Sequence, residues 1–108
     1  MVYSSELIKG TLKTIILKLL ADNKKMYGYE ITQLVKELTK SEIELTFGAL
    51  YPTLHKLEAE GLLTTKTTVV DNRARKYYSL TATGTSSASS EVQGYFNFAR
   101  AMNLVLKY

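Results

Sequence analysis

A mainly α fold with a small β-hairpin is what this sequence predicts, a winged helix-turn-helix followed by a long C-terminal dimerisation helix. Gly48 to Leu63, GALYPTLHKLEAEGLL, reads as a short helix closed by a glycine stop at Gly61. Two strand-like runs follow, joined at Asp71-Asn72, and the second holds RKYYSLT, Arg75 to Thr81. After Thr81, apolar residues recur at helical spacing as far as Leu106. Helix, glycine stop and hairpin in that order match modules that set a helix in the DNA major groove. The expected division is residues 1–81 for the winged helix-turn-helix and residues 82–108 for the dimerisation helix.

Each element has its own justification. Ile8, Leu12, Ile15, Ile16 and Leu19 keep helical spacing, so a first helix runs from about Ser4 to Ala21. Asp22 to Lys25 is a polar break. Ile31, Leu34, Val35 and Leu38 then form the stripe of a second helix. Ser41 to Leu45 alternates polar and apolar, which suits a short extended piece. Thr46 is an N-cap for the third helix, whose buried stripe is Leu50, Leu54 and Leu57. Pro52 leaves two starts open. One is Tyr51, with proline in the first turn, and the other is Phe47, which sacrifices one intrahelical bond.

Leu62 to Val69 and Arg75 to Leu80 are the expected strands. Strand alternation sets Tyr78 and Leu80 inward and Tyr77 toward solvent. Thr81 caps the last helix. Along it Val92, Tyr95, Phe96, Ala99, Met102 and Leu106 form a stripe that Phe98 and Val105 widen, too wide for one small head to cover.

Composition narrows the function classes. The chain has 108 residues, 45% of them hydrophobic, which bounds it to one domain able to bury a core. No apolar run approaches the ~18 residues of a membrane span, and the N-terminus does not resemble a secretory signal. Without cysteine there is no disulfide framework, and the expected location is cytoplasmic. Net charge is +4, and Leu62 to Leu80 sets Lys66, Arg73, Arg75 and Lys76 against Asp71 alone. A basic hairpin beside a reading helix suits a polyanion.

The candidate DNA contacts follow from that placement. On the third helix and its cap they are Thr46, Gly48, Ala49, Tyr51, Pro52, Thr53, His55 and Lys56. Small residues at the N-terminal end let backbone approach phosphate, and the longer side chains donate to phosphate or base edges. Lys24, Lys25 and Tyr27 precede the second helix, while Lys66, Arg73, Arg75 and Tyr77 lie on the wing. Arg73 and Arg75 suit either backbone phosphates or the minor groove. The blander reading of each lysine is a solvated basic face. A dimer face, or a pocket for a flat aromatic effector within it, is assigned to Leu12, Ile15, Val92, Tyr95, Phe96, Phe98, Ala99, Met102, Val105 and Leu106. His55 is the single histidine, and no nucleophile–base pair, phosphate loop or metal set is evident, so no enzyme activity, cofactor or metal is expected.

Together these segments resemble the PadR family of bacterial transcriptional regulators, in particular members with a short C-terminal part. The resemblance rests on Leu7 to Leu20, Tyr27-Gly28-Tyr29-Glu30-Ile31, Leu50-Tyr51-Pro52, Leu57-Glu58 with Gly61-Leu62-Leu63, and Arg75-Lys76-Tyr77-Tyr78 with Leu80-Thr81. It implies a homodimer that represses genes by binding an inverted repeat in double-stranded DNA, with some members released by small aromatic or drug-like effectors. The chain departs from the family pattern at Thr46-Phe47-Gly48, where members often have Ser-Pro-Gly, and at the leaner wing tip Val70 to Arg73. The alternative is a winged-helix ligand-sensing or protein-interaction module without sequence-specific DNA binding.

Overall fold

Leucine stripes on three short helices and one edge of a hairpin meet in a single core. The structure, a computed structural model, describes residues 3–108. Its elements are α1 (Ser5–Asp22), α2 (Gly28–Leu38), α3 (Phe47–Ala59), β1 (Leu63–Val70), β2 (Arg73–Leu80) and α4 (Ala82–Leu106). The architecture is the one the sequence predicts.

The Ser4 hydroxyl caps α1 by accepting from the Leu7 N–H at 3.2 Å. The helix buries Leu12, Ile16, Leu17, Leu19 and Leu20. Leu12, expected on a dimer face, is only 1% exposed and belongs to the core. It shares the inward stripe with Ile16 and Leu19, so the monomer itself consumes that face. Ile15 is half-buried and packs against the same core.

Helix α2 opens where the Glu30 carboxylate accepts from the Tyr27 N–H at 3.1 Å. Ile31 and Val35 are buried, whereas Leu38 is 66% exposed and drops out of the expected stripe. Lys40 and Ser41 then adopt left-handed φ values of 52° and 67°. The Ser41 N–H returns to the Lys36 carbonyl at 2.8 Å, which closes the helix end. Within the Ser41–Leu45 segment, expected as a short extended piece, no strand forms, Ser41 belongs to the helix-end turn, and Ile43 and Leu45 face inward between exposed neighbours. The Ile43 N–H donates to the Thr39 hydroxyl, and Leu45 is buried.

Helix α3 starts at Phe47, with the Thr46 hydroxyl accepting from the Ala49 N–H at 3.1 Å. Pro52 therefore lies inside the helix and leaves the Gly48 carbonyl without its intrahelical donor. Gly48 is exposed, so solvent satisfies that carbonyl, while the cap and burial of Leu50 favour the longer helix. Leu50, Leu54 and Leu57 are buried as expected. Gly61, at φ 79°, reverses the chain, and the Leu62 N–H reaches back to the Leu57 carbonyl at 3.0 Å.

Strands β1 and β2 pair antiparallel from Leu63↔Leu80 to Val70↔Arg73. Asp71 and Asn72, at φ 51° and 62°, make the two-residue turn whose twist matches the strands. β2 starts at Arg73, two residues before the expected start, because that turn brings Arg73 directly opposite Val70. Tyr78 is buried as expected, and Leu80 is half-buried.

The Thr81 hydroxyl accepts from the Gly84 N–H at 3.0 Å and donates to the Gly61 carbonyl at 2.7 Å. It thus ties the root of α4 to the end of α3. Only Gly84 and Ala88 of α4 are buried. The helix lies along α1, with Lys13 paired to Glu91 at 3.2 Å. At about 1.5 Å per residue its 25 residues reach roughly 37 Å, and most of its far half is exposed.

Candidate nucleic-acid interface

The interface begins with a pairing that the sequence does not advertise. Met26 bonds with Tyr78 as an isolated antiparallel bridge, N–H to carbonyl in both directions at 3.1 and 2.9 Å. The segment before α2 thereby acts as a third, very short strand beside β2. Side chains alternate across strands, so burying Met26 and Tyr78 turns Lys25, Tyr27, Arg75 and Tyr77 to the opposite face. Lys66 joins them because it stands directly opposite Tyr77 in the β1–β2 register.

On this face the aromatic rings meet the cations. Tyr27 and Tyr77 pack edge-on, with centroids 5.5 Å apart. The Arg75 guanidinium lies 4.6 Å from the Tyr27 ring centre, and the Lys25 ammonium 4.8 Å from that of Tyr77. Tyr29 extends the cluster, stacked 6.4 Å from Tyr27. Hydrogen bonding with the Tyr77 side chain raises the Arg75 pKa above the ordinary arginine value, against a smaller opposing effect of desolvation.

The exposed side of α3 borders this cluster. Gly28, next to Tyr27, receives the Tyr51 ring against its bare Cα; a Cβ there would stand 2.8 Å from Tyr51 Cζ. Tyr51 is thus both an exposed candidate and a strut between α3 and α2. Thr46, Gly48, Pro52, His55 and Lys56 are exposed, and Ala49 is half-buried. The Thr53 hydroxyl donates to the Ala49 carbonyl at 3.1 Å, so its proton is engaged within the helix. Lys24 and Arg73 are exposed at the margins.

Two features escaped sequence reasoning. Phe47 is 48% exposed and packs 5.7 Å from Tyr51, which packs 6.2 Å from His55. The signal was available, because positions 47, 51 and 55 are one helical turn apart. Lys76, counted among the wing charges, stays exposed but pairs with Glu58 at 3.5 Å, while Glu58 also accepts from the Thr65 hydroxyl. Behind it, the buried Tyr78 hydroxyl has no hydrogen-bond partner among the described residues. Burial pushes its pKa up, with Lys76 opposing.

The expected dimer face is divided. A groove of about 720 Å³ runs between α1 and α4, and Tyr95, Phe98, Ala99 and Met102 line it on the α4 side. Phe98, assigned to the dimer face or effector pocket, lines this groove. Phe96, Val105 and Leu106 are more than half exposed outside it, and Val92 is half-buried. Among the described residues, no cluster of three or more His, Cys, Asp or Glu is arranged to hold a metal ion.

The model of the transcriptional regulator PadR-like family matches residues 16–90, from α1 into α4. The chain belongs to this family. It is therefore a transcriptional regulator and not an enzyme. A PadR-like relative, Transcriptional regulator Rv3488 of Mycobacterium tuberculosis, is 37% identical over 95 residues, covering 88% of this chain and 85% of that protein. A solved transcriptional regulator from Clostridium thermocellum superposes with a TM-score of 0.84 at 26% identity, covering 92% of this chain and 96% of that one. Bacillus subtilis PadR, solved in complex with operator DNA, superposes with a TM-score of 0.69 at 32% identity. That match covers 76% of this PadR-like chain and 46% of the B. subtilis chain. No helix among the described residues is long and apolar enough to cross a membrane.

Proposed function

We propose that this PadR-like chain is a homodimeric repressor that acts in the cytoplasm on an inverted-repeat operator. The single observation that carries the DNA-binding reading is the continuous surface formed by exposed α3 and the Lys25–Tyr27–Arg75–Tyr77 face, joined at Gly28. The complex of the related B. subtilis PadR with operator DNA supports it. Residues 1–81 bind the duplex, and α4, within residues 82–108, pairs with a second copy. Exposed Phe96, Val105 and Leu106, outside the α1–α4 groove, supply the apolar surface for that pairing. Two α3 helices related by a two-fold axis meet half-sites about one helical turn apart, roughly 34–36 Å, or a multiple of it.

The α1–α4 groove, with Tyr95, Phe98 and Met102 in its wall, seats a small aromatic or drug-like effector. Such a compound shifts DNA affinity only by as much as it distinguishes the bound and free dimer.

Titration of labelled duplex from the protein's own upstream region, with and without excess random duplex, tests the reading. Binding that survives the competitor supports specific repression. Equal affinity for the two duplexes overturns it and favours a ligand-sensing or protein-interaction module.

A further inference from the structure

We propose that Lys25 and Arg75 form one two-cation clamp on the DNA backbone, held in register by the rings of Tyr27 and Tyr77. The entry to α2 and the wing then grip the duplex as one unit. The inference rests on the DNA-binding reading above and assigns Tyr27 and Tyr77 a positioning role within it.

The arrangement is crosswise. In the antiparallel register set by Met26↔Tyr78, Tyr27 stands opposite Tyr77. Arg75 is then diagonal to Tyr27, and Lys25 is diagonal to Tyr77. Each cation lies over the ring contributed by the other segment, at 4.6 and 4.8 Å. Losing the Tyr77 ring therefore frees Lys25, and losing the Tyr27 ring takes from Arg75 its support on the opposite segment, leaving the interaction with Tyr77 on its own strand.

The chemistry suits phosphate. A guanidinium lying on a ring face keeps its in-plane N–H donors directed outward, where they match two phosphate oxygens. The ammonium keeps donors on the side away from its ring. Long basic side chains free in solution must be ordered on binding, which weakens each contact. Here both are ordered before DNA arrives. Two carboxylates neighbour the face, Glu30 on the Tyr27 N–H at 3.1 Å and Asp71 at the wing turn, yet among the described residues neither forms an ion pair with Lys25 or Arg75, and Glu58 of α3 pairs with Lys76 instead.

The geometry also separates the two wing arginines. Arg75 is drawn back across the sheet toward Tyr27, so it serves the backbone. Arg73 flanks the turn at Asp71-Asn72 and, among the described residues, lies over no ring, so it is the arginine free to enter a minor groove.

The test needs no known operator, because phosphate contacts act on any duplex. Affinity for a random duplex is measured between about 50 and 200 mM salt for wild type, Tyr27→Phe, Tyr27→Leu, Arg75→Ala and the Tyr27→Leu/Arg75→Ala double variant. Arg75→Ala should reduce the salt slope by about one. Tyr27→Leu, which removes no charge, should lower both affinity and slope, Tyr27→Phe, which keeps the ring, should lower them less than Tyr27→Leu, and the double variant should lose little beyond Arg75→Ala.

A Tyr27→Leu protein that melts normally and keeps the wild-type slope would overturn the clamp. So would a Tyr27→Phe loss equal to that of Tyr27→Leu, because the hydroxyl rather than the ring would then be at work. If Tyr27→Leu fails to fold, the mirror cycle of Tyr77→Leu with Lys25→Ala makes the same decision. Wild-type protein that binds no duplex would instead sink the DNA-binding reading, and the clamp with it.

Discussion

Replacing Gly48 by alanine should separate stability from function in one step. Gly48 is the second residue of α3, it is exposed, and a Cβ built there meets nothing within 4 Å. Its backbone is helical without positive φ, so alanine is accepted and the unfolded chain loses freedom. The gain should be about 0.5–1 kcal/mol, which for a domain of this size raises Tm by roughly 2–8 °C. The same methyl, in a reading helix pressed against DNA, fills the space that allows backbone to approach phosphate or a base edge. Overpacking a close interface costs about 1–3 kcal/mol, or roughly 5- to 150-fold in affinity. Thermal melting and duplex titration on one preparation measure both. A lower Tm would refute the open space around Gly48. A higher Tm with unchanged affinity would refute close approach of this turn to DNA.

Gly84→Ala should have the opposite structural outcome, because its Cβ would run into the backbone carbonyl of Leu62. The alanine helix preference of about 1 kcal/mol is then outweighed, with a net loss of roughly 1–3 kcal/mol in urea or thermal unfolding; a stabilised variant would refute that packing. Tyr78→Phe removes a buried hydroxyl that has no partner and should be neutral or stabilise by up to about 1 kcal/mol. Burial raises the Tyr78 pKa, so its neutral form supports folding fully below the unfolded value of about 10 and that support fades as pH rises through the folded one. The melting advantage of Tyr78→Phe should therefore grow above about pH 10, and parallel pH curves would contradict the burial argument. Phe96→Asp should leave the head folded, since Phe96 is 61% exposed there, yet shift sedimentation from dimer to monomer. An intact dimer would move the interface elsewhere.

Elements with strong local signals were legible in the sequence. Thr46, Gly61, Asp71-Asn72 and Thr81 each carry turn or cap chemistry that works within three residues, and all four act as expected. Leu50, Leu54 and Leu57 repeat at helical spacing and are buried. What local rules cannot decide is competition between distant groups. Pro52 argued for a start at Tyr51, but Thr46 and the burial of Leu50 outweigh one lost bond at a solvated carbonyl. Residues 41–45 alternate like a strand but make no ladder, their Ile43 N–H turning to a threonine side chain instead. Leu12 had the spacing of either a core or an interface residue, and only packing distinguishes the two.

Charge shows the same limit most clearly. Counting along the hairpin gives Lys66, Arg73, Arg75 and Lys76 equal weight, yet Lys76 is paired with Glu58. The loss is made good from outside the hairpin, because the Met26–Tyr78 bridge brings Lys25 onto the face of Arg75 and Lys66. That bridge is two hydrogen bonds between segments fifty residues apart, with no turn signal or strand-length run to announce it. Its effect follows from strand parity alone: with Met26 and Tyr78 fixed inward, their neighbours must face outward together. A helix poor in arginine thereby gains a basic neighbour whose rings and cations come from two parts of the chain. The proposed attachment surface is therefore a property of the register, and shifting that register by one residue would bury its cations and expose its core.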